Sequence, residues 1–199
     1  MHPTQDAIQN METIRKQRYQ LMFVVQAAII AALYVVLTLL SNAVGLASGV
    51  IQVRISEALC TLALFTPAAI PGMWIGCLLA NLVTGCLWQD ILFGSLASLI
   101  GAGVTYLLRK GPFWIAPVPT ILANMLIVPW VLRLAYGIEE AVWYMMVTVG
   151  AGEVIAAGIL GIGLYFAIRP IAQKLFGPTY TGIGAKPKQA ETPEKPKEE

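Results

Sequence analysis

Long apolar runs decide what this chain can become. Between Tyr19 and Ile168 its Asp, Glu, Lys and Arg residues are Arg54, Glu57, Asp90, Arg109, Lys110, Arg133, Glu139, Glu140 and Glu153, and all but Glu153 fall near the borders of apolar stretches. A helix crossing ~30 Å of hydrocarbon needs about 20 mostly apolar residues at ~1.5 Å rise per residue. Stretches of that kind cover 21–40, 72–88, 91–108, 113–131 and 141–168. With 57% hydrophobic and 12% charged residues, the chain lies far from the roughly 25% charged composition of soluble domains. Water is not its main solvent.

A sixth span is harder to see. Residues 50–65 read "VIQVRISEALCTLALF", and the uninterrupted apolar part begins only at Ala58. An Arg or Glu against lipid costs roughly 2.5 kcal/mol or more, so Arg54 and Glu57 are expected to face protein or a watery cavity. The first run is too long for a signal-peptide core and no small-residue cleavage pattern follows it, so it is expected to remain in the mature chain. Six spans place Arg15, Lys16, Arg18, Arg109, Lys110, Arg169 and Lys174 on one side and only Arg54 and Arg133 on the other. By the positive-inside rule both termini are then cytoplasmic; omitting the second span scrambles that balance. The expected organisation is an all-α integral protein of the cell membrane: a six-helix domain over 19–176, a polar cytoplasmic leader over 1–18 and a disordered cytoplasmic tail over 177–199. That tail is rich in Pro, Lys and Glu and cannot bury a core.

Gln26, Asn81, Asn124 and Glu153 lie inside spans, where hydrocarbon offers no hydrogen-bond partner. For the three amides, an interhelical hydrogen bond worth ~0.6 kcal/mol explains their presence as well as a function does. Glu153, in "VGAGEVIAAG", is by default a functional residue; the structural alternative has it protonated or paired with Asn81 or Asn124. Counted from the outer span ends, Asn81, Asn124 and Glu153 reach comparable depths and are expected to line one cavity. Arg54, Glu57, Asp90, Glu139 and Glu140 gather at its outer mouth. Trp88, Trp143 and Tyr144 share that level, where an aromatic belt is the plainer explanation. At i and i+3, Arg54 and Glu57 can pair on one helical face, but such a pair is worth only ~0.2–0.5 kcal/mol. Recognition of a polar, planar ligand is a better reason to bury a guanidinium and a carboxylate.

Small residues form a second pattern. Ala27 and Ala31, with Ala28 and Ala32 beside them, repeat every four residues, as do Gly72 and Gly76, and Ala157 and Gly161. Such strips let helices approach closely; one serves internal packing, and one left over would receive a partner protein. Several chemistries are not legible. No GxxxxGK[ST] loop is present for nucleotide hydrolysis, and no Ser or Cys stands beside a base for intramembrane hydrolysis. Cys60, Cys77, Cys86 and the single His2 have no metal-ligand or disulfide spacing, and the basic residues track a membrane face rather than a nucleic-acid groove. The chain is therefore not expected to be an enzyme, nor to carry a metal or other cofactor.

"VIQVRISEAL", "FTPAAIPGMWIGCLLANLVTG" and "DILFGSLASLIGA" together resemble the QueT family, over about residues 27–169. The resemblance implies a six-helix S component of an energy-coupling factor (ECF) transporter that binds a queuosine precursor from outside, a 7-deazaguanine such as preQ1, preQ0 or queuine. It further implies a transmembrane coupling protein and two cytoplasmic ATPase subunits as partners, with Ala27, Ala28, Ala31 and Ala32 matching the family's docking motif. On that basis Arg54, Glu57, Asn81, Trp88, Asp90, Asn124, Trp143 and Glu153 are expected to form the substrate site. Glu57 or Glu153 would accept two N–H groups of the guanine-like edge, and Asn81 or Asn124 would meet O6 or a ring nitrogen. Trp74, Trp88, Trp143 or Tyr144 would stack on the ring, and Asp90 or a free glutamate would hold a cationic aminomethyl group. Two other readings stay open at this point: a stand-alone proton-coupled carrier built around Glu153, and a membrane assembly protein with no ligand.

Overall fold

The computed structural model describes residues 5–46 and 51–181; its regular elements are all helices, with no strand among the described residues. Four helices are long and apolar enough to cross a membrane: Gln9–Ala43, Trp88–Leu107, Phe113–Leu134 and Val142–Ile168. Two shorter apolar helices, Ile55–Leu64 and Ala69–Val83, complete the bundle. We label the α-helices α1 (Gln5–Ala43), α2 (Ala69–Val83), α3 (Trp88–Leu107), α4 (Val118–Leu134), α5 (Val142–Glu153), α6 (Gly161–Ile168) and α7 (Ala172–Phe176). Val154–Leu160 joins α5 to α6 as a π-helical stretch.

The Ile55–Leu64 segment is short but runs inside the bundle. It is a 3₁₀ helix of 10 residues, and at ~2.0 Å rise per residue it reaches about 20 Å, where an α-helix of equal length reaches about 15 Å. Every residue from Ser56 to Leu64 is buried. It packs against α1, α2, α3, the π-helical stretch and α6, so it meets protein on all sides and Glu57 never faces lipid.

Small residues let the surrounding helices close on this axis. A Cβ at Gly72 would stand 2.8 Å from Ile30 Cβ and 3.0 Å from the Ala27 carbonyl, and one at Gly76 would stand 2.7 Å from Tyr34 Cβ. The Ala27/Ala31 strip of α1 and the Gly72/Gly76 strip of α2 are thus each other's partners. Ala28 and Ala32 lie on the opposite, exposed side of α1. Gly161 does the same for α6 against the 3₁₀ segment, where a Cβ would come within 2.8 Å of Thr61 Oγ1.

Both ends of the domain differ from the composition-based boundaries. The polar stretch from Gln5 onward is the first part of α1 and continues into the apolar run without a break. At the other end, Gly177–Thr179 forms a turn that packs back onto the bundle, Thr179 is buried, and the Thr181 N–H donates to the Phe65 carbonyl at 2.8 Å. Phe65 stacks on Tyr165, Phe176 and Tyr180. The expected tail therefore begins with residues that are packed, because Thr179 and Tyr180 find a polar and an aromatic socket; residues 182–199 lie outside the described ones.

Candidate functional site

The stretches 51–54, 84–87 and 135–141 meet at one end of the bundle, where Gln52, Arg54, Thr84, Cys86, Tyr136 and Ile138 come together. There the Tyr136 hydroxyl accepts from the Leu87 N–H at 3.2 Å and donates to Asp90 Oδ2 at 3.2 Å. Partial burial, with a smaller contribution from the Asp90 charge, pushes the Tyr136 phenol up to about 12. It therefore keeps its proton at neutral pH and remains a donor.

Behind these connections lies a cavity of about 280 Å³, whose polar wall is formed by Thr38, Gln52, Arg54, Asn81, Asp90 and Tyr136. Its volume is near the lower end for small-molecule sites, roughly 300–1,000 Å³. Gln52, Arg54 and Val128 also line a second, deeper chamber of about 20 Å³, whose other walls include Glu57, Asn124 and Glu153. A chamber of that size holds about one water. It can take the edge of a ligand whose body occupies the outer cavity.

The two compartments differ in how their polar groups are satisfied. In the outer one Arg54 donates through Nη1 to Asn81 Oδ1 at 3.3 Å and its Nη2 lies 4.0 Å from Asp90 Oδ2. Asn81 also donates to the Asp90 carbonyl at 3.3 Å. The i,i+3 pair between Arg54 and Glu57 is not among these contacts. Arg54 precedes the 3₁₀ helix in an extended conformation, φ −98° and ψ 101°, so its guanidinium is carried to α2 and α3 instead of along the helix face.

In the inner chamber Glu57 Oε1 accepts from the Tyr34 hydroxyl and, at 3.5 Å, from Ser98 Oγ. Its Oε2 has no hydrogen-bond partner in the chain, and the same holds for Glu153 Oε2 and Asn124 Nδ2. All three atoms are buried and belong to residues that line the chamber. A buried, unsatisfied polar atom costs ~1–3 kcal/mol and more when charged. Glu57 Oε2 stands alone, whereas the Asn124 amide and the Glu153 carboxyl act on each other without completing a well-formed hydrogen bond, so the chamber wall carries two acceptors and one donor. Glu153 is set there by an interruption in its helix. It is the last residue of α5, the π-helical stretch follows directly, and Gly152 before it lies against the Gln52 carbonyl. π-Helical geometry inside an α-helix is rare and often falls at functional positions.

Six of the eight expected site residues thus come together: Arg54, Asn81 and Asp90 in the outer cavity, and Glu57, Asn124 and Glu153 in the inner chamber, with Arg54 touching both. Trp88 and Trp143 do not join them; they are 66% and 69% exposed on the outside of the bundle. Trp74 and Tyr144 are exposed as well. Glu139 and Glu140 lie exposed in the connection after α4, and Gln26 sits elsewhere, bonded to the Phe176 carbonyl, Thr66 and Thr179. Sequence reasoning missed Tyr34, Thr38, Ser98, Gln52 and Tyr136. The signal for two of them was present: Ala27, Ile30, Ala31, Tyr34, Thr38 and Ser41 follow helical spacing, so the small-residue strip of α1 runs on into hydroxyl groups. A larger groove of about 390 Å³ between α3 and α4, walled by Phe93, Leu126, Trp130 and Leu134, is not the site. Its walls are almost entirely apolar, and none of the six residues above lines it.

The QueT transporter family model matches residues 24–170. The queuosine precursor transporter QueT of Lactococcus lactis subsp. cremoris (strain MG1363) is 35% identical over 95 residues, covering 46% of this chain and 56% of that relative. The match therefore spans little more than half the relative's length. No solved structure matches the chain.

Proposed function

The chain belongs to the QueT transporter family, and from that premise we propose that it is the substrate-binding S component of an ECF importer, taking up a 7-deazaguanine queuosine precursor from outside. The observation that carries this reading is Glu57 Oε2, buried without a partner at the inner chamber, with the Glu153 carboxyl and the Asn124 amide lining the same chamber. A guanine-type edge offers two neighbouring N–H donors and one carbonyl acceptor, which complements two acceptors and one donor. The ring then lies in the outer cavity beside Arg54, Asn81 and Asp90.

In this reading the long helices, the Ile55–Leu64 segment and α2 make six crossings. The basic groups Arg109, Lys110, Arg169 and Lys174 stand at the end opposite the cavity, so both termini are cytoplasmic and the cavity opens outward. The coupling protein and the two ATPase subunits supply the energy. Docking falls to the exposed side of α1 with Ala28 and Ala32, since Ala27 and Ala31 are covered by α2.

Equilibrium binding and vesicle uptake of a 7-deazaguanine test the reading. The purified chain alone binds the compound, and uptake requires the coupling protein and ATPases. Ala32→Leu keeps binding and abolishes that uptake. Uptake by the chain alone that collapses with the proton gradient would instead identify an independent carrier, and absence of binding would leave a protein without this ligand.

A further inference from the structure

The proposed function leaves open how a single edge is shared between two carboxyl groups, and the surroundings of Glu57 answer this. Tyr34, fully enclosed on α1, and Ser98 on α3 both give their hydroxyl hydrogens to the same oxygen, Glu57 Oε1. The other oxygen, Oε2, is buried without a partner and its residue lines the inner chamber. Tyr34 is itself held: Thr38, one turn on, donates to the Tyr34 carbonyl at 2.9 Å and lies 2.8 Å from Ser56 Oγ on the 3₁₀ segment. Its Cβ faces the bare backbone of Gly76. A phenol this constrained fixes the rotation of the carboxyl group it binds.

We propose that Tyr34 is a positioning residue for substrate recognition: it occupies Glu57 Oε1 so that Glu57 presents one oxygen to the ligand, and the paired N–H groups of the edge are divided between Glu57 and Glu153. This rests on the functional reading above. It replaces the simpler picture in which one carboxylate grips both N–H groups, because a Glu57 with one oxygen engaged has one acceptor left. Ser98 supports the same arrangement from α3, at the longer distance of 3.5 Å.

A double-mutant cycle on equilibrium binding of 7-deazaguanine tests this. Tyr34→Phe keeps the ring and removes the donor, and is expected to weaken binding about tenfold, the loss of one well-oriented hydrogen bond of ~1.4 kcal/mol. In a Glu57→Gln background, which already weakens binding, the same change is expected to cost less than twofold, because Tyr34 acts through Glu57. A merely structural Tyr34 gives tenfold losses in both backgrounds and overturns the inference, as does a Tyr34→Phe protein that binds like wild type. If Tyr34→Phe does not fold, Ser98→Ala is put through the same cycle, with a smaller loss that vanishes in Glu57→Gln supporting the inference and a persistent or absent loss overturning it. Wild-type protein that fails to bind 7-deazaguanine refutes the functional reading itself, so the two failures are distinct.

Discussion

Two polar clusters lie inside this bundle, at different depths, and they are built on opposite rules. Around Gln26 both polar atoms of the amide have partners: Nε2 donates to the Phe176 carbonyl at 3.0 Å, and Oε1 accepts from Thr179 and, at 3.1 Å, from Thr66. The cluster ties α1 to the turn after α7. Around Glu57, Asn124 and Glu153 the chain leaves three buried atoms without a well-formed hydrogen bond beside a chamber. Burial alone therefore does not separate scaffold from site in a membrane protein. Residual hydrogen-bonding capacity does, since a group that has spent all its donors and acceptors on the fold has none to offer a guest.

The largest expected effect tests the unsatisfied cluster. Glu153→Gln is nearly isosteric, removes one acceptor charge, and should weaken 7-deazaguanine binding by ~1.5–3 kcal/mol, the range for hydrogen bonds to charged groups. Its thermal stability in detergent should not fall, because the native carboxyl group contributes an uncompensated cost to the empty fold. A variant that binds normally but melts early would make Glu153 part of the scaffold and erase the contrast between the clusters. The second effect is its mirror image. Thr179→Val removes one of the two donors to Gln26 Oε1 and should lower stability by ~0.5–1.5 kcal/mol, read as a lowered melting temperature, with ligand affinity unchanged. A loss of affinity there would mean that the two clusters are mechanically linked.

The residue types of this site were legible in the sequence, and their geometry was not. An acid in mid-span and amides at similar depth announce themselves because so little else around them is polar; that logic selected Glu153, Asn124 and Asn81. It failed wherever the answer depended on which side of a helix a residue occupies. Hydrophobic periodicity identifies the buried face only when the other face meets water; in lipid both faces of α1 are apolar, so Ala27 and Ala31 look like Ala28 and Ala32 although only the first pair is covered by α2. The i,i+3 spacing allows Arg54 to pair with Glu57 only if one helix runs through both, while the extended backbone at Arg54 sends it to Asn81 and Asp90. The 3₁₀ geometry that lets ten residues serve as a buried axis, and the π-helical stretch after Glu153, carry no residue signature that a reading of spacing would catch.

The aromatic residues make the smallest and most discriminating case. At the level of the outer cavity, Trp143 satisfies every compositional criterion for a stacking platform, and base–aromatic stacking is typically worth ~1–3 kcal/mol. Its side chain is nevertheless directed outward, 69% exposed and in edge contact with Tyr144, where a membrane interface rewards an indole without any ligand. Trp143→Ala should therefore change 7-deazaguanine affinity by less than ~0.5 kcal/mol, as surface substitutions usually do, and Trp88→Ala likewise. The measurement is sharp because the alternatives barely overlap. A loss of 1 kcal/mol or more would require the connection 135–141 to fold inward over the ligand and carry the indole with it, turning the outer cavity from a fixed vestibule into one completed by binding.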